Sequence, residues 1–260
     1  MGLRAPLWTP YKRAVTSPLA VVCDFDGTAT LLDIGDEISK RFGGAAQWKA
    51  ASGRFHRGDL TTRGIIEAIY ARVVAPESEV RAFAVQAARL RPGFPELIAA
   101  CRDRGAPFYL ASGGLRQYIA AVLESHLPAE LRDWVRLRAN EGIFGAGGLR
   151  VGFPGDEESR LAGCEVCGSC KRVAVAEARR GGATYVIGIG DGFADRCLVR
   201  CADRTFAREG SYLHRYCVEH ALPHTPFTAL LDAAQAVRSF QPSDLGPRTS
   251  GALSKTPSEA

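Results

Sequence analysis

The chain has 260 residues, 46% of them hydrophobic, enough for one large domain or for a core with a smaller appendage. Its 33 basic and 28 acidic residues leave a formal charge of +5, too small an excess for a nucleic-acid-binding protein, and no stretch approaches the roughly 20 apolar residues that span a bilayer. The opening Met1 to Pro10 lacks the apolar run and cleavage site of a secretory signal, so the expectation is a cytoplasmic monomer or homodimer whose eight cysteines are thiols or metal ligands.

Residues 1–17 read as an N-terminal segment. The first buried strand is the run Leu19-Ala20-Val21-Val22-Cys23, which leads into Asp24-Phe25-Asp26-Gly27-Thr28. Residues 37–87 then show helical periodicity with little strand character, as in Ile65-Ile66-Glu67-Ala68-Ile69-Tyr70. This stretch is expected to form a small helical cap inserted after the first strand, dividing a core domain made of residues 18–36 and 88–238. A second apolar run, Pro107-Phe108-Tyr109-Leu110-Ala111, ends in Ser112-Gly113-Gly114, where Ser112 is also a natural N-cap for a helix over 115–123. Glycines at 145, 147 and 148 suggest a β-hairpin over 142–151. Further on come Cys164, Cys167 and Cys170 at two-residue spacing, then Lys171. A third apolar run, Tyr185-Val186-Ile187-Gly188-Ile189, enters Gly190-Asp191-Gly192-Phe193-Ala194-Asp195. Cys197 and Cys201, four apart on a predicted helix, read as buried apolar residues. Residues 239–260, rich in Pro, Ser, Gly and Thr, are expected to be disordered.

Apolar runs that each end in a polar turn and lead into a helical pattern define an α/β fold, a Rossmann-like parallel sheet core. Ligands of such sheets bind beyond the carboxyl ends of the strands, so the three polar turns converge on one edge. Asp24 and Asp26 have the composition needed for phosphoryl transfer, with one carboxylate to attack and a second to protonate the leaving oxygen, if a cation offsets the repulsion between anions. Alone, an Asp-x-Asp pair is equally a turn or a helix cap. Lys171 by itself is an ordinary surface lysine, and Asp191 and Asp195 by themselves are a turn and a helix start.

Taken in order, these runs resemble the four motifs of the haloacid dehalogenase-like (HAD) hydrolase superfamily over residues 19–236. The resemblance implies a HAD fold and a magnesium-dependent phosphatase acting on a small phosphorylated metabolite through an aspartyl-phosphate. Asp24 and Asp26 would be catalytic, Thr28, Ser112, Gly113 and Lys171 would hold the phosphate, and Asp24, Asp26 through its backbone carbonyl, Asp191 and Asp195 would hold Mg2+, Asp195 binding or orienting it. It also implies phosphoester chemistry in particular, because the family's phosphatases and phosphomutases carry the second aspartate, whereas its dehalogenases and P-type ATPases lack it. Two phosphatase branches are similar: phosphoserine phosphatase, and the 2-hydroxy-3-keto-5-methylthiopentenyl-1-phosphate phosphatase of methionine salvage. The second is favoured by Asp33, by Cys167-Gly168-Ser169-Cys170-Lys171 and by Thr205-Phe206-Ala207-Arg208. Phosphotransfer to another alcohol and a non-catalytic binding role on the same fold are the competing readings. Candidate substrate residues are Asp33, Glu37, Arg54, His56 and Arg57. Cys164, Cys167 and Cys170 would supply three thiolates to a structural Zn2+, but no fourth ligand is evident in the local sequence, and packing of the turn before Lys171 is the favoured reading.

Overall fold

Strand β1 (Leu19–Cys23) is buried along its whole length, as its unbroken apolar run requires, because a strand covered by helices on both faces has no solvent side toward which to alternate. The computed structural model describes residues 17–241 apart from 146 and 168. Six further strands, β2 (Phe108–Leu115), β3 (Val135–Gly145), β4 (Gly148–Gly152), β5 (Tyr185–Gly190), β6 (Arg204–Arg208) and β7 (Thr225–Phe227), complete one sheet in the order β4-β3-β2-β1-β5-β6-β7. All neighbours run parallel except β3 and β4, the predicted hairpin. The chain therefore builds outward from β1 to β4 and then returns to β5 on the other side of β1. Ligand sites form where the direction of winding reverses. Cys23 is level with Leu110 of β2 and Ile189 of β5, so the segments leaving these strands emerge side by side.

Between β1 and β2 lie α1 (Ile34–Ile38), α2 (Ala45–His56), α3 (Thr62–Tyr70), α4 (Glu77–Ala87) and α5 (Phe94–Asp103). Helices α6 (Arg116–His126) and α7 (Ala129–Arg132) lead from β2 to β3, and α8 (Asp156–Leu161) and α9 (Lys171–Arg180) lead from β4 to β5. The last three are α10 (Arg196–Val199), α11 (Tyr212–Glu219) and α12 (Leu231–Ser239). Local chemistry explains α3: Thr61 caps it by accepting the Gly64 N–H at 3.1 Å, and its buried side is Thr62, Ile66 and Tyr70, one turn apart. Ile66, Tyr70, Val80 and Ala84 join the same apolar cluster as the sheet residues Val21, Phe108 and Ile187. Each fully buried Leu, Ile or Phe in it contributes about 1.5–3 kcal/mol. The two chain crossings between the helical insertion and the sheet are themselves paired, with Leu31 N–H to Arg89 O at 2.9 Å and Arg91 N–H to Ala29 O at 2.8 Å.

The C-terminal boundary differs from expectation. Ser239 closes α12, and Phe240 is buried, its ring 5.3 Å from that of Tyr185, because an aromatic ring after an amphipathic helix finds apolar surface at the start of β5. Residues 1–16 and 242–260, assigned above to the leading segment and the tail, lie outside the described residues. No helix among the described residues is long and apolar enough to cross a membrane.

Candidate active site

Asp24 is the first residue past β1. Its N–H is held by Ile189 O of β5 at 2.9 Å, which fixes it at the β1/β5 junction. The chain then turns sharply at Gly27, whose φ of +75° lies in the left-handed region. A Cβ on Gly27 would sit 2.6 Å from Asp191 Oδ2, so only glycine lets the two segments approach this closely. Arg91 holds the turn from beneath. Its guanidinium is buried and donates to the carbonyls of Thr28 (2.7 Å), Gly27 (2.7 Å), Thr30 (3.2 Å) and Thr228 (3.1 Å). Hydrogen bonds from a charged donor contribute about 1.5–3 kcal/mol each.

Asp24, Asp191 and Asp195 bring carboxylate oxygens within 4.8 Å of one another. Lys171, at the start of α9, bridges Asp24 Oδ1 at 2.7 Å and Asp195 Oδ1. Burial works to lower the Lys171 pKa, but the charges of Asp195 and Asp24 outweigh it and hold the ammonium form. Burial pushes the Asp24 carboxyl well up, Lys171 pulls it back, and Asp195 and Asp191 push it up again. Asp191 is raised by burial and by Asp195, against Thr28 and Arg208, whose side chains reach it at 2.8 and 3.1 Å. Asp195 is spent differently, accepting the N–H groups of Asp191 (2.9 Å) and Gly192 (2.8 Å) on Oδ2. Three carboxylates thus face two cations before any anionic ligand enters. Hard oxygen donors with excess negative charge fit a small divalent cation such as Mg2+.

Asp26 faces the other way. Its Oδ1 accepts the N–H groups of Ile34 (3.0 Å) and Gly35 (3.4 Å), and its Oδ2 accepts the hydroxyls of Tyr118 (2.6 Å) and Ser112 (3.3 Å). Burial raises its pKa to about 6 against these hydrogen bonds, which suits a group that must give and take a proton near neutrality. Gly114 makes room, since a Cβ there would lie 1.8 Å from the Tyr118 hydroxyl. Ser112 is no helix cap: its Oγ accepts the Gly114 N–H at 2.8 Å within β2, and α6 begins later, at Arg116. Asn140 Nδ2 donates to Gly113 O at 2.8 Å and steadies that turn.

These groups open into a cavity of about 300 Å³ whose wall includes Asp24, Asp26, Ser112, Gly113, Lys171, Asp191 and Asp195. Its opposite wall is Trp48, Phe55, Ile65, Ile66 and Ile69 of α2 and α3, and the Phe55 ring touches Phe193 with centroids 5.0 Å apart. Of the candidate substrate residues, Asp33 and His56 line the cavity, Asp33 while also capping α1 through the Asp36 N–H at 2.7 Å. Glu37, Arg54 and Arg57 do not. On α2 the inward face is Trp48, Ser52, Phe55 and His56, so helical period turns Arg54 and Arg57 away, and Glu37 pairs with Lys40 at 2.8 Å. Thr28 is fully buried and outside the cavity wall, its hydroxyl given to Asp191 rather than facing the phosphate space. The Asp26 carboxylate is held by Tyr118 and the start of α1, apart from the trio Asp24, Asp191 and Asp195, which leaves only its main-chain carbonyl for the metal side. Tyr118 and Arg91 are functional residues that the sequence pattern does not single out. Their only local signal is a polar side chain within otherwise apolar, buried surroundings.

A parallel sheet that gathers carboxylates, a buried lysine and a hydroxyl at its carboxyl edge, roofed by inserted helices, defines an α/β enzyme that handles an anionic group. The family model described as haloacid dehalogenase-like hydrolase matches residues 21–200. The chain belongs to that family. It is 29% identical over 224 residues to a 2-hydroxy-3-keto-5-methylthiopentenyl-1-phosphate phosphatase of Geobacillus thermodenitrificans, a match covering 86% of this chain and 97% of that protein. The protein of the same name from Brevibacillus brevis is 26% identical over 229 residues, covering 87% and 98%. A phosphoserine phosphatase solved with substrate bound shares the fold, with a TM-score of 0.65 at 18% identity over 85% of this chain and 98% of that one.

Proposed function

We propose that the protein is a magnesium-dependent phosphatase that hydrolyses a small phosphomonoester at Asp24. The observation that carries this reading is the buried Lys171 bridge between Asp24 and Asp195, beside an Asp26 held apart by its own hydrogen-bond set. An Asp24 oxygen attacks phosphorus, the bond to the leaving oxygen breaks, and Asp26 gives that oxygen its proton. Water then attacks the aspartyl-phosphate and Asp26 takes the proton back, freeing inorganic phosphate. Ser112, Gly113 and Lys171 hold the phosphate oxygens, and Lys171 offsets the charge gathered between substrate and Asp24. Asp24, Asp191 and the Asp26 main chain would hold Mg2+, with Asp195 orienting Asp191 and Lys171. When bound, the ion neutralises the repulsion between phosphate and carboxylates.

The helices of residues 37–87 act as a cap that excludes bulk water and selects the leaving group. The cap-side wall is mainly aromatic and aliphatic, its polar groups being Ser52, His56, Thr62 and the Tyr70 hydroxyl. That lining favours a leaving group with an apolar tail, such as the methylthio end named in the relatives, over the ammonium and carboxylate of phosphoserine. A cytoplasmic setting accords with such a metabolite. The deciding assay is phosphate release with Mg2+ from a panel of phosphorylated metabolites, including a methylthiopentenyl phosphate and phosphoserine, for wild type and Asp24→Asn. Turnover retained by the variant refutes the mechanism, and preference for phosphoserine refutes the substrate class.

A further inference from the structure

A second cluster of potential ligands lies next to the site and takes no part in the chemistry above. Cys164, Cys167, Cys170 and Cys197 bring their sulfurs within 4.8 Å of one another. The first three are each 5% exposed, and Cys197 is partly buried. The loop between α8 and α9 supplies three, and α10 supplies the fourth. The expectation that Cys197 is a plain apolar helix residue is thus corrected: the short turn after Asp195 points it at the loop. All four are free thiols. Apolar packing is a weak account of them, because the cluster they form contains cysteines alone.

The described residues of the loop form no helix or strand, and its main chain is tied at a few points. Cys164 N–H bonds Ser159 O at 2.9 Å, Cys170 N–H bonds Ser159 Oγ at 3.0 Å, and Val166 O accepts the Arg63 N–H of α3 at 2.8 Å. Arg172 reaches back to Gly163 O at 3.5 Å, which places a guanidinium beside the quartet to offset thiolate charge. Tetrahedral zinc at about 2.3 Å from each sulfur sets neighbouring sulfurs about 3.8 Å apart, inside the observed envelope. Four all-sulfur ligands that converge this closely enclose a single soft ion.

We propose that Cys164, Cys167, Cys170 and Cys197 bind one zinc ion, which fastens the loop carrying Lys171 to the helix that follows Asp195. Cys170 directly precedes Lys171 and Cys197 lies just past Asp195, so the ion clamps the two ends of the Lys171 to Asp195 bridge. Through Val166 and Arg63 it also seats the first turn of α3. Binding releases the thiol protons as the thiolates form.

Elemental analysis of the full chain, purified without chelator, is expected to give about one zinc per chain. Replacement by Co2+ is expected to produce thiolate-to-cobalt charge-transfer absorption and the strong visible bands of a tetrahedral site. Cys197→Ser is expected to lose the zinc and the cobalt spectrum, whereas Cys201→Ser, outside the quartet, keeps both. Wild-type protein free of zinc with all four thiols titratable overturns the proposal. So does a disulfide within the quartet detected by mass, or full zinc content in Cys197→Ser. The wild-type measurements stand even where the variant fails to fold.

Discussion

The two walls of the cavity are built on opposite principles. On the sheet side every carboxylate has a named partner: Asp24 has Lys171, Asp26 has Tyr118 and the start of α1, Asp191 has Thr28 and Arg208, and Asp195 has Lys171 with two main-chain N–H groups. On the helical side Phe55, Ile65, Ile66 and Ile69 offer shape and apolar area, and Phe55 meets the sheet side through the Phe193 ring. Charged groups fixed before the substrate arrives need no reorganisation during reaction, whereas an apolar wall discriminates only by fit, at about 1–3 kcal/mol per methylene. In the proposed reading, reaction type is therefore written into the sheet edge and substrate choice into the inserted helices.

Each wall can be broken separately. Asp24→Asn, nearly isosteric, is expected to cut kcat on the order of 10⁴-fold or more while the thermal transition stays close to wild type; a slowed but substantial turnover would remove Asp24 from the proposed role. Chelation should abolish activity, and Mg2+ alone should restore it; full turnover after thorough metal removal would contradict the charge count at Asp24, Asp191 and Asp195. Arg91→Ala strips buried carbonyls of their donor and is expected to cost on the order of 3 kcal/mol in urea unfolding, with kcat falling as the Gly27 turn loosens. A change within error would show that the turn stands without it. On the other wall, Phe55→Ala is expected to raise KM about tenfold and to touch kcat little, since the lost contact is uniform apolar binding; a fall confined to kcat would instead assign Phe55 a part in closing the site.

The smallest effect concerns pH. Tyr118 donates to the ionised form of Asp26, so Tyr118→Phe removes a stabiliser of the charged state and moves the Asp26 pKa upward from about 6. The first chemical step needs Asp26 protonated. The alkaline limb of kcat/KM is accordingly expected to shift to higher pH, by less than about one unit, and a shift to lower pH would reverse the assignment of Asp26 as the acid.

Much of the sheet edge was legible in the sequence because it is local. An unbroken apolar run followed by Asp24-Phe25-Asp26-Gly27-Thr28 can hardly be anything but a covered strand with a tight polar exit, and parallel strands present such exits on one side. The same logic located Ser112 and Asp191, and helical period located the inserted helices. It failed where a side chain's meaning depends on a distant partner. Thr28 faces Asp191 rather than the cavity, and Arg54 and Arg57 fall on the outer side of α2. For Tyr118, Arg91 and Cys197 the local pattern does not name the partner: Asp26, the Gly27 turn and the cysteine loop all lie far away in the sequence.

By itself, then, the sequence determined the order of elements, the carboxylates at the strand ends and the glycine that lets the chain turn after Asp26, since these follow from backbone geometry and apolar pattern within a few residues. Only the tertiary structure decided which hydroxyl holds Asp26, which guanidinium supports the turn and which fourth cysteine completes the quartet. Those contacts join segments whose separation is set by sheet register and helix packing, and single-residue differences in either would have given each side chain another neighbour.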